Sequence, residues 1–183
     1  KRSIVPVNNN IYLLPASGKK APIDFPSTEE VERVLEIAKD TSPVIVVDTP
    51  SDLNCSHTSA ILQNADVVLV SIDQTAFTDQ DIFDYGSFLL EIGVNPEKVK
   101  IIVNRYSKKF KPVHEILRLF NQGIRGDVKV IATIPNQYEK YVLMSYKGQI
   151  PGVMDRKSPW RDIVSEIGIE IPQKSRFRLK REA

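Results

Sequence analysis

Four apolar residues in succession, Val44-Ile45-Val46-Val47, lie between Pro43 and the polar turn Asp48-Thr49-Pro50, and no other stretch limits the fold so much. All four are β-branched, and a run without polar alternation suits a short strand buried on both faces, as in the parallel sheet of an α/β protein. Asp48 would then stand at the strand's carboxyl end. In open α/β sheets that edge is where ligands bind, and an acidic residue followed by Thr49 and Pro50 suits a hydrated magnesium ion beside phosphates. A plain strand end leading into a turn accounts for the same residues.

Further runs of this kind recur along the chain. Ile11–Leu14, Asp66–Ile72, Val99–Val103 and Val128–Ile134 all read as strands. Between them the apolar spacing becomes helical. Ser27 and Glu30 form a capping box ahead of Val31, Val34, Leu35 and Ala38. Residues 56–63 suit a short helix. Thr78 with Asp81 caps a helix that carries Ile82, Phe83, Leu89 and Leu90 and stops at Gly93. Pro112 suits a first helical position before Val113, Ile116, Leu117 and Phe120, with Gly123 and Gly126 breaking that helix. Tyr138, Tyr141 and Val142 trace a helix to Gly148, and Ser158-Pro159 opens a last one with Trp160, Ile163, Val164 and Ile167 on one face. Strands alternating with helices predict an α/β fold, a mostly parallel sheet flanked by helices on both sides.

The 183 residues suffice for one domain with a substantial core. A composition of 42% hydrophobic and 26% charged residues is that of an ordinary globular protein, and a net charge of +2 singles out no partner. The single cysteine, Cys55, excludes an internal disulfide framework and suits a reducing cytoplasm. No run approaches the roughly 20 apolar residues of a membrane span, and no signal peptide is visible. Because the first residue is Lys1 and not Met, the chain is expected to be a portion of something longer.

Parallel strands share a direction, so the polar pairs that follow them, Asp48-Thr49, Asp73-Gln74, Asn104-Arg105 and Asn136-Gln137, are expected to converge on one edge. Asn104 offers a donor and acceptors, as reading a purine edge requires; a bond to neighbouring backbone is the simpler alternative. His57 and His114 lack metal-ligand spacing and read as surface or core-edge residues, and Cys55 as a small buried one. The tyrosines and Trp160 suit core packing better than base stacking. The basic residues of 174–181 are interleaved with Phe177 and Leu179; they suit a solvated end, or a weak contact with an anionic membrane.

In order, the segments Ile-Tyr-Leu-Leu-Pro-Ala-Ser, Val-Ile-Val-Val-Asp-Thr-Pro, Asn-Ala-Asp-Val-Val-Leu-Val, Ile-Ile-Val-Asn-Arg-Tyr, Ile-Pro-Asn and Gly-Gln-Ile-Pro resemble the second half of a ParA/MinD-type deviant P-loop ATPase. Asn104-Arg105-Tyr106 and Ile134-Pro135-Asn136 look most like the TadZ/CpaE branch, which localises the assembly machinery of Tad (Flp) pili. The resemblance implies an incomplete SIMIBI-type P-loop NTPase fold over residues 1–172 with a basic tail at 173–183. It implies that Asp48 is the Walker B aspartate near magnesium, that Thr49, Pro50, Ser51 and Asp52 form a switch, and that Asn104, Arg105, Pro135 and Asn136 border adenine. It further implies ATP and Mg2+ as cofactors of the full-length protein, a homodimer, and partners among pilus-assembly or cell-pole proteins. The expected place is the cytoplasm, at a pole or the inner face of the membrane, with no sequence-specific nucleic acid bound.

Two departures bear on activity. No Gly-rich phosphate loop is present: Gly18-Lys19-Lys20 lacks the glycines and the preceding buried strand. Asp52 stands where the family carries a small residue, and its carboxylate would repel a γ-phosphate. ATP hydrolysis by this chain alone is therefore not expected. Three functions stay open: a nucleotide-dependent positioning switch, a non-enzymatic localisation scaffold with a degenerate site, and a plasmid or chromosome partition ATPase.

Overall fold

A computed structural model describes residues 4–8, 11–15, 26–50, 56–149 and 158–168. The chain divides into two compact units, 1–57 and 58–183. In the first, β1 (Val5–Asn8) pairs antiparallel with β2 (Ile11–Leu13), Val5 opposite Leu13 and Pro6 opposite Tyr12. The strand expected at Ile11–Leu14 is thus present, but in a hairpin and not in a parallel sheet. Only two residues separate β1 from β2, and a parallel connection would need a dozen or more.

Helix α1 (Thr28–Lys39) begins at the expected capping box: Glu30 N–H donates to Ser27 Oγ at 3.3 Å, and Ser27 N–H donates to Glu30 Oε2 at 2.9 Å. It ends where the Thr41 and Ser42 N–H groups donate back to the Ala38 carbonyl. The strand expected at Val44–Val47 does not form. Residues 44–50 are irregular, and Val46 is 87% exposed. Ser42 Oγ donates to the Val44 carbonyl at 2.8 Å, and no strand among the described residues pairs with the run. β propensity expresses itself only where a neighbour accepts the backbone bonds.

Helix α2 (Ser56–Asn64) crosses the division after residue 57 and leads in the second unit to β3 (Val68–Asp73), α3 (Asp79–Glu91), a 3-10 turn at Pro96–Lys98, β4 (Val99–Tyr106), α4 (Val113–Ile124), β5 (Lys129–Pro135), α5 (Tyr138–Tyr146) and α6 (Pro159–Glu166). The sheet order is β3-β4-β5, parallel throughout. One face carries Val70, Ile72, Val99, Ile101 and Val103, packed against Ile82 and Leu89 of α3 and Ile116, Phe120 and Ile124 of α4. On the other face Ile102 and Ile134 meet Ile163 of α6 and Tyr141 of α5. Helices therefore cover both faces, and the α/β architecture expected from the alternating runs is present here. Among the described residues no helix is long and apolar enough to cross a membrane.

Glycine fixes how α3 meets α4. A Cβ on Gly123 would lie 2.1 Å from the Phe83 carbonyl oxygen, and one on Gly86 would lie 2.5 Å from that of Phe120, so the two backbones touch. Gly123 thus sits inside α4 instead of breaking it as expected, and the helix ends at Arg125 in the left-handed region with φ 52. Pro112 is the residue before the first turn and not its first member. The tyrosines and Trp160 also depart from a uniform core role. Tyr141 packs inward, whereas Tyr138, Tyr146 and Trp160 are 71%, 86% and 38% exposed. Tyr146 follows Tyr141 by five positions and so lies on the opposite side of α5.

Candidate functional site

Because β3, β4 and β5 run the same way, their carboxyl ends form one edge. Asp73 lies opposite Asn104, and Tyr106 lies opposite Pro135. The turns beyond are stitched together: Gln74 N–H donates to the Asn104 carbonyl at 3.2 Å, and Asn136 N–H to the Tyr106 carbonyl at 3.4 Å. The expected convergence holds for Asp73-Gln74, for Asn104-Arg105 and for Asn136 of the Asn136-Gln137 pair.

Asp73 is the hub of this edge. Its Oδ1 accepts from the Thr75 N–H at 2.9 Å and the Thr75 hydroxyl at 2.7 Å, and its Oδ2 lies 3.2 Å from Arg105 Nε. Partial burial pushes this carboxyl upward, but the Thr75 bonds, the Arg105 charge and the Ala76 N–H outweigh it and hold the group below its ordinary value. Arg105 has φ 51, a left-handed conformation that costs a non-glycine residue about 1 kcal/mol. Asn104 Oδ1 accepts from the Arg105 N–H at 2.9 Å, which with the Asp73 pair holds that geometry. The simpler alternative for Asn104, a bond to neighbouring backbone, is therefore realised through one lone pair of Oδ1. Its second lone pair and its Nδ2 donors are not used by that bond.

Gln74 is buried and acts as a clamp. Its Nε2 donates to the Lys111 carbonyl at 2.7 Å, and its Oε1 accepts from Ser107 N–H at 2.7 Å, fixing loop 107–111 to the end of β3. The Lys111 ammonium also pairs with Asp79 at the start of α3. Sequence reasoning set Gln74 at the edge but missed its clamping role. Its partners lie 33 and 37 positions away and leave no local signal.

Asp48, Thr49 and Pro50 lie on the irregular stretch of the first unit, with Asp48 exposed, while Ser51, Asp52, Cys55, Gly18-Lys19-Lys20 and the tail at 174–181 fall outside the described residues. Among the described residues, no group of three His, Cys, Asp or Glu side chains could hold a metal ion. Asp73 is already engaged by Arg105 and Thr75. Asn104, Arg105, Pro135 and Asn136 lie together at the carboxyl edge of β4 and β5. His57 is buried and His114 is exposed. No model of a known protein family matches the chain, and no curated protein matches its sequence.

Proposed function

We propose that the chain is the C-terminal part of a ParA/MinD-like, nucleotide-dependent positioning protein of the TadZ/CpaE kind, which localises pilus-assembly machinery in the cytoplasm or at a cell pole. The carrying observation is that Asp73-Gln74, Asn104-Arg105 and Pro135-Asn136 reach one edge of a parallel sheet. In this reading Asn104 and the Pro135–Asn136 turn border adenine, while ATP and Mg2+ bind fully only in the longer protein, which dimerises across that edge.

A second reading, a non-enzymatic localisation scaffold, is favoured by one specific observation. Asp73, Gln74 and Asn104 Oδ1 are all engaged in internal bonds, as in an edge kept for architecture. A fluorescent fusion expressed in cells that assemble Tad-type pili tests both. A discrete focus at the pilus base is expected, and a uniform signal overturns both readings. Asn104→Ala separates them: the focus disperses if nucleotide governs placement and persists if the chain is a scaffold.

A further inference from the structure

Helix α5 carries apolar side chains on two opposite sides. Tyr141 packs inward with Ile102, Ile134 and Ile163. At about 100° per residue, Glu139, Val142, Leu143 and Tyr146 fall on one stripe of the outer side, the last three lying three, four and seven positions after the first. Leu143 is 58% exposed and Tyr146 86%. A helix apolar on both sides is stable when both are covered, and among the described residues only the Tyr141 side joins a core cluster.

The charges on the outer side limit what can cover it. Glu139 lies four positions before Leu143, and Lys147, the C-cap, four positions after it. Neither forms an ion pair among the described residues, and Lys140, the remaining charge of the helix, is engaged within the chain. At 1.5 Å per residue Glu139 and Lys147 stand about 12 Å apart along the axis, too far to meet each other. A second α5 running antiparallel, with the two Leu143 side chains at the two-fold axis, sets each Glu139 opposite the other copy's Lys147 and so makes the pair twice. An anionic membrane would instead face Glu139 with like charge, and a nucleic-acid strand would find one cation beside a carboxylate.

We propose that the outer side of α5 docks a second copy of this chain, helix against helix, antiparallel and centred on Leu143. Leu143 and Tyr146 supply the apolar contact, and the Glu139–Lys147 pairs fix direction and register. A nine-residue helix is about 13 Å long, so the contact belongs to the small, weak class of interfaces. It needs no nucleotide, which separates it from the proposed dimer across the carboxyl edge. Glu139 at the amino end and Lys147 at the carboxyl end also suit the helix dipole. Exchanging the two charges distinguishes the roles, because the exchanged pair opposes the dipole yet stays self-complementary.

Sedimentation equilibrium of the full chain without nucleotide tests this, so that failure leaves the nucleotide reading untouched. A monomer–dimer equilibrium is expected, with a dissociation constant on the order of 100 µM. Leu143→Asp should leave a monomer, and Tyr146→Ser should weaken the dimer about tenfold. Glu139→Lys and Lys147→Glu should each weaken it about fivefold, and the two together should restore it to within about twofold. These residues are exposed, so the fold is expected to survive, as circular dichroism checks, and the charge exchange removes no apolar contact. A monomer at about 1 mM, a dimer indifferent to these substitutions, or a double exchange no tighter than the single ones would overturn the proposal. So would a chain that stays monomeric but pellets with phosphatidylglycerol vesicles through Tyr146, which would give the face to lipid.

Discussion

Replacing Gly123 by alanine puts the contact between α3 and α4 to a quantitative test. The added Cβ would stand 2.1 Å from the Phe83 carbonyl oxygen and 2.9 Å from Ser87 N, and both are backbone atoms of a packed helix. Reaching an ordinary 3.4 Å contact requires the helices to part by about 1.3 Å. A gap near 1 Å already forfeits up to about half of a dispersion well, and here it opens beside Ile82, Leu89, Ile116 and Phe120. Overpacking of this kind costs about 3 kcal/mol at its upper range, and alanine's better helix propensity returns about 1 kcal/mol. The expected net loss is therefore about 2 kcal/mol. With a urea dependence near 2 kcal/mol per molar, the unfolding midpoint should fall by about 1 M. Gly86→Ala should act similarly, and the double variant should lose less than the sum, because one separation relieves both clashes. Gly93→Ala is the control: φ is +79 and no atom lies within 4 Å, so only backbone strain of about 1 kcal/mol applies. An unchanged or raised midpoint for Gly123→Ala would refute close backbone approach as the reason for glycine there.

Other substitutions probe the edge. Gln74→Ala strands the Ser107 N–H and the Lys111 carbonyl and should cost about 2 kcal/mol, with faster hydrogen exchange at Ser107; unaltered exchange there would rule out the clamp. Asp73 has a carboxyl held below its ordinary 3.8, so its contribution is complete above that value and is lost as pH falls through the lower folded value. Asp73→Asn should thus show a shallower decline in urea midpoint between pH 5 and pH 3 than the unaltered protein, and parallel declines would count against the Arg105–Thr75 assembly. Thr78→Ala removes a capping box in which the Asp81 N–H donates to Thr78 Oγ1 at 3.1 Å, and it should cost about 1 kcal/mol by thermal or urea unfolding.

Where local chemistry and partner strands agree, the sequence was legible. Val99–Val103 and Val128–Ile134 are mostly apolar, broken only by Lys100, Lys129 and Thr133, and each is followed or preceded by a helix that can cover it, so strand type and approximate bounds could be read directly. The capping boxes at Ser27 and Thr78 were readable because both partners lie three positions apart. Val44–Val47 was misread because β-branching describes what a residue tolerates in a strand and does not supply a hydrogen-bonding neighbour. Ile11–Leu13 pairs with the nearest neighbour available, β1, whose sequence Val-Pro-Val-Asn carries no clear strand signal of its own. Gly123 looked like a helix stop because glycine's low propensity is visible in sequence, whereas Phe83, the carbonyl it makes room for, lies 40 positions earlier. The edge itself followed from parallel strand direction. Its internal wiring, Gln74 to Lys111 and Asp73 to Arg105, depends on tertiary placement that periodicity does not encode.

The central claim, that the carboxyl edge of β3-β4-β5 faces a nucleotide base, is tested most directly by amide chemical shifts of the labelled chain titrated with ATP and magnesium into the millimolar range. Weak but localised shifts are expected at Gln74, Asn104 to Ser107 and Asn136, larger for ATP than for GTP. They should be lost in Asn104→Ala, with α4 beyond its first turn unaffected. Silent amides at this edge, or shifts of equal size in Asn104→Ala, would contradict the claim and leave the edge as architecture of a scaffold.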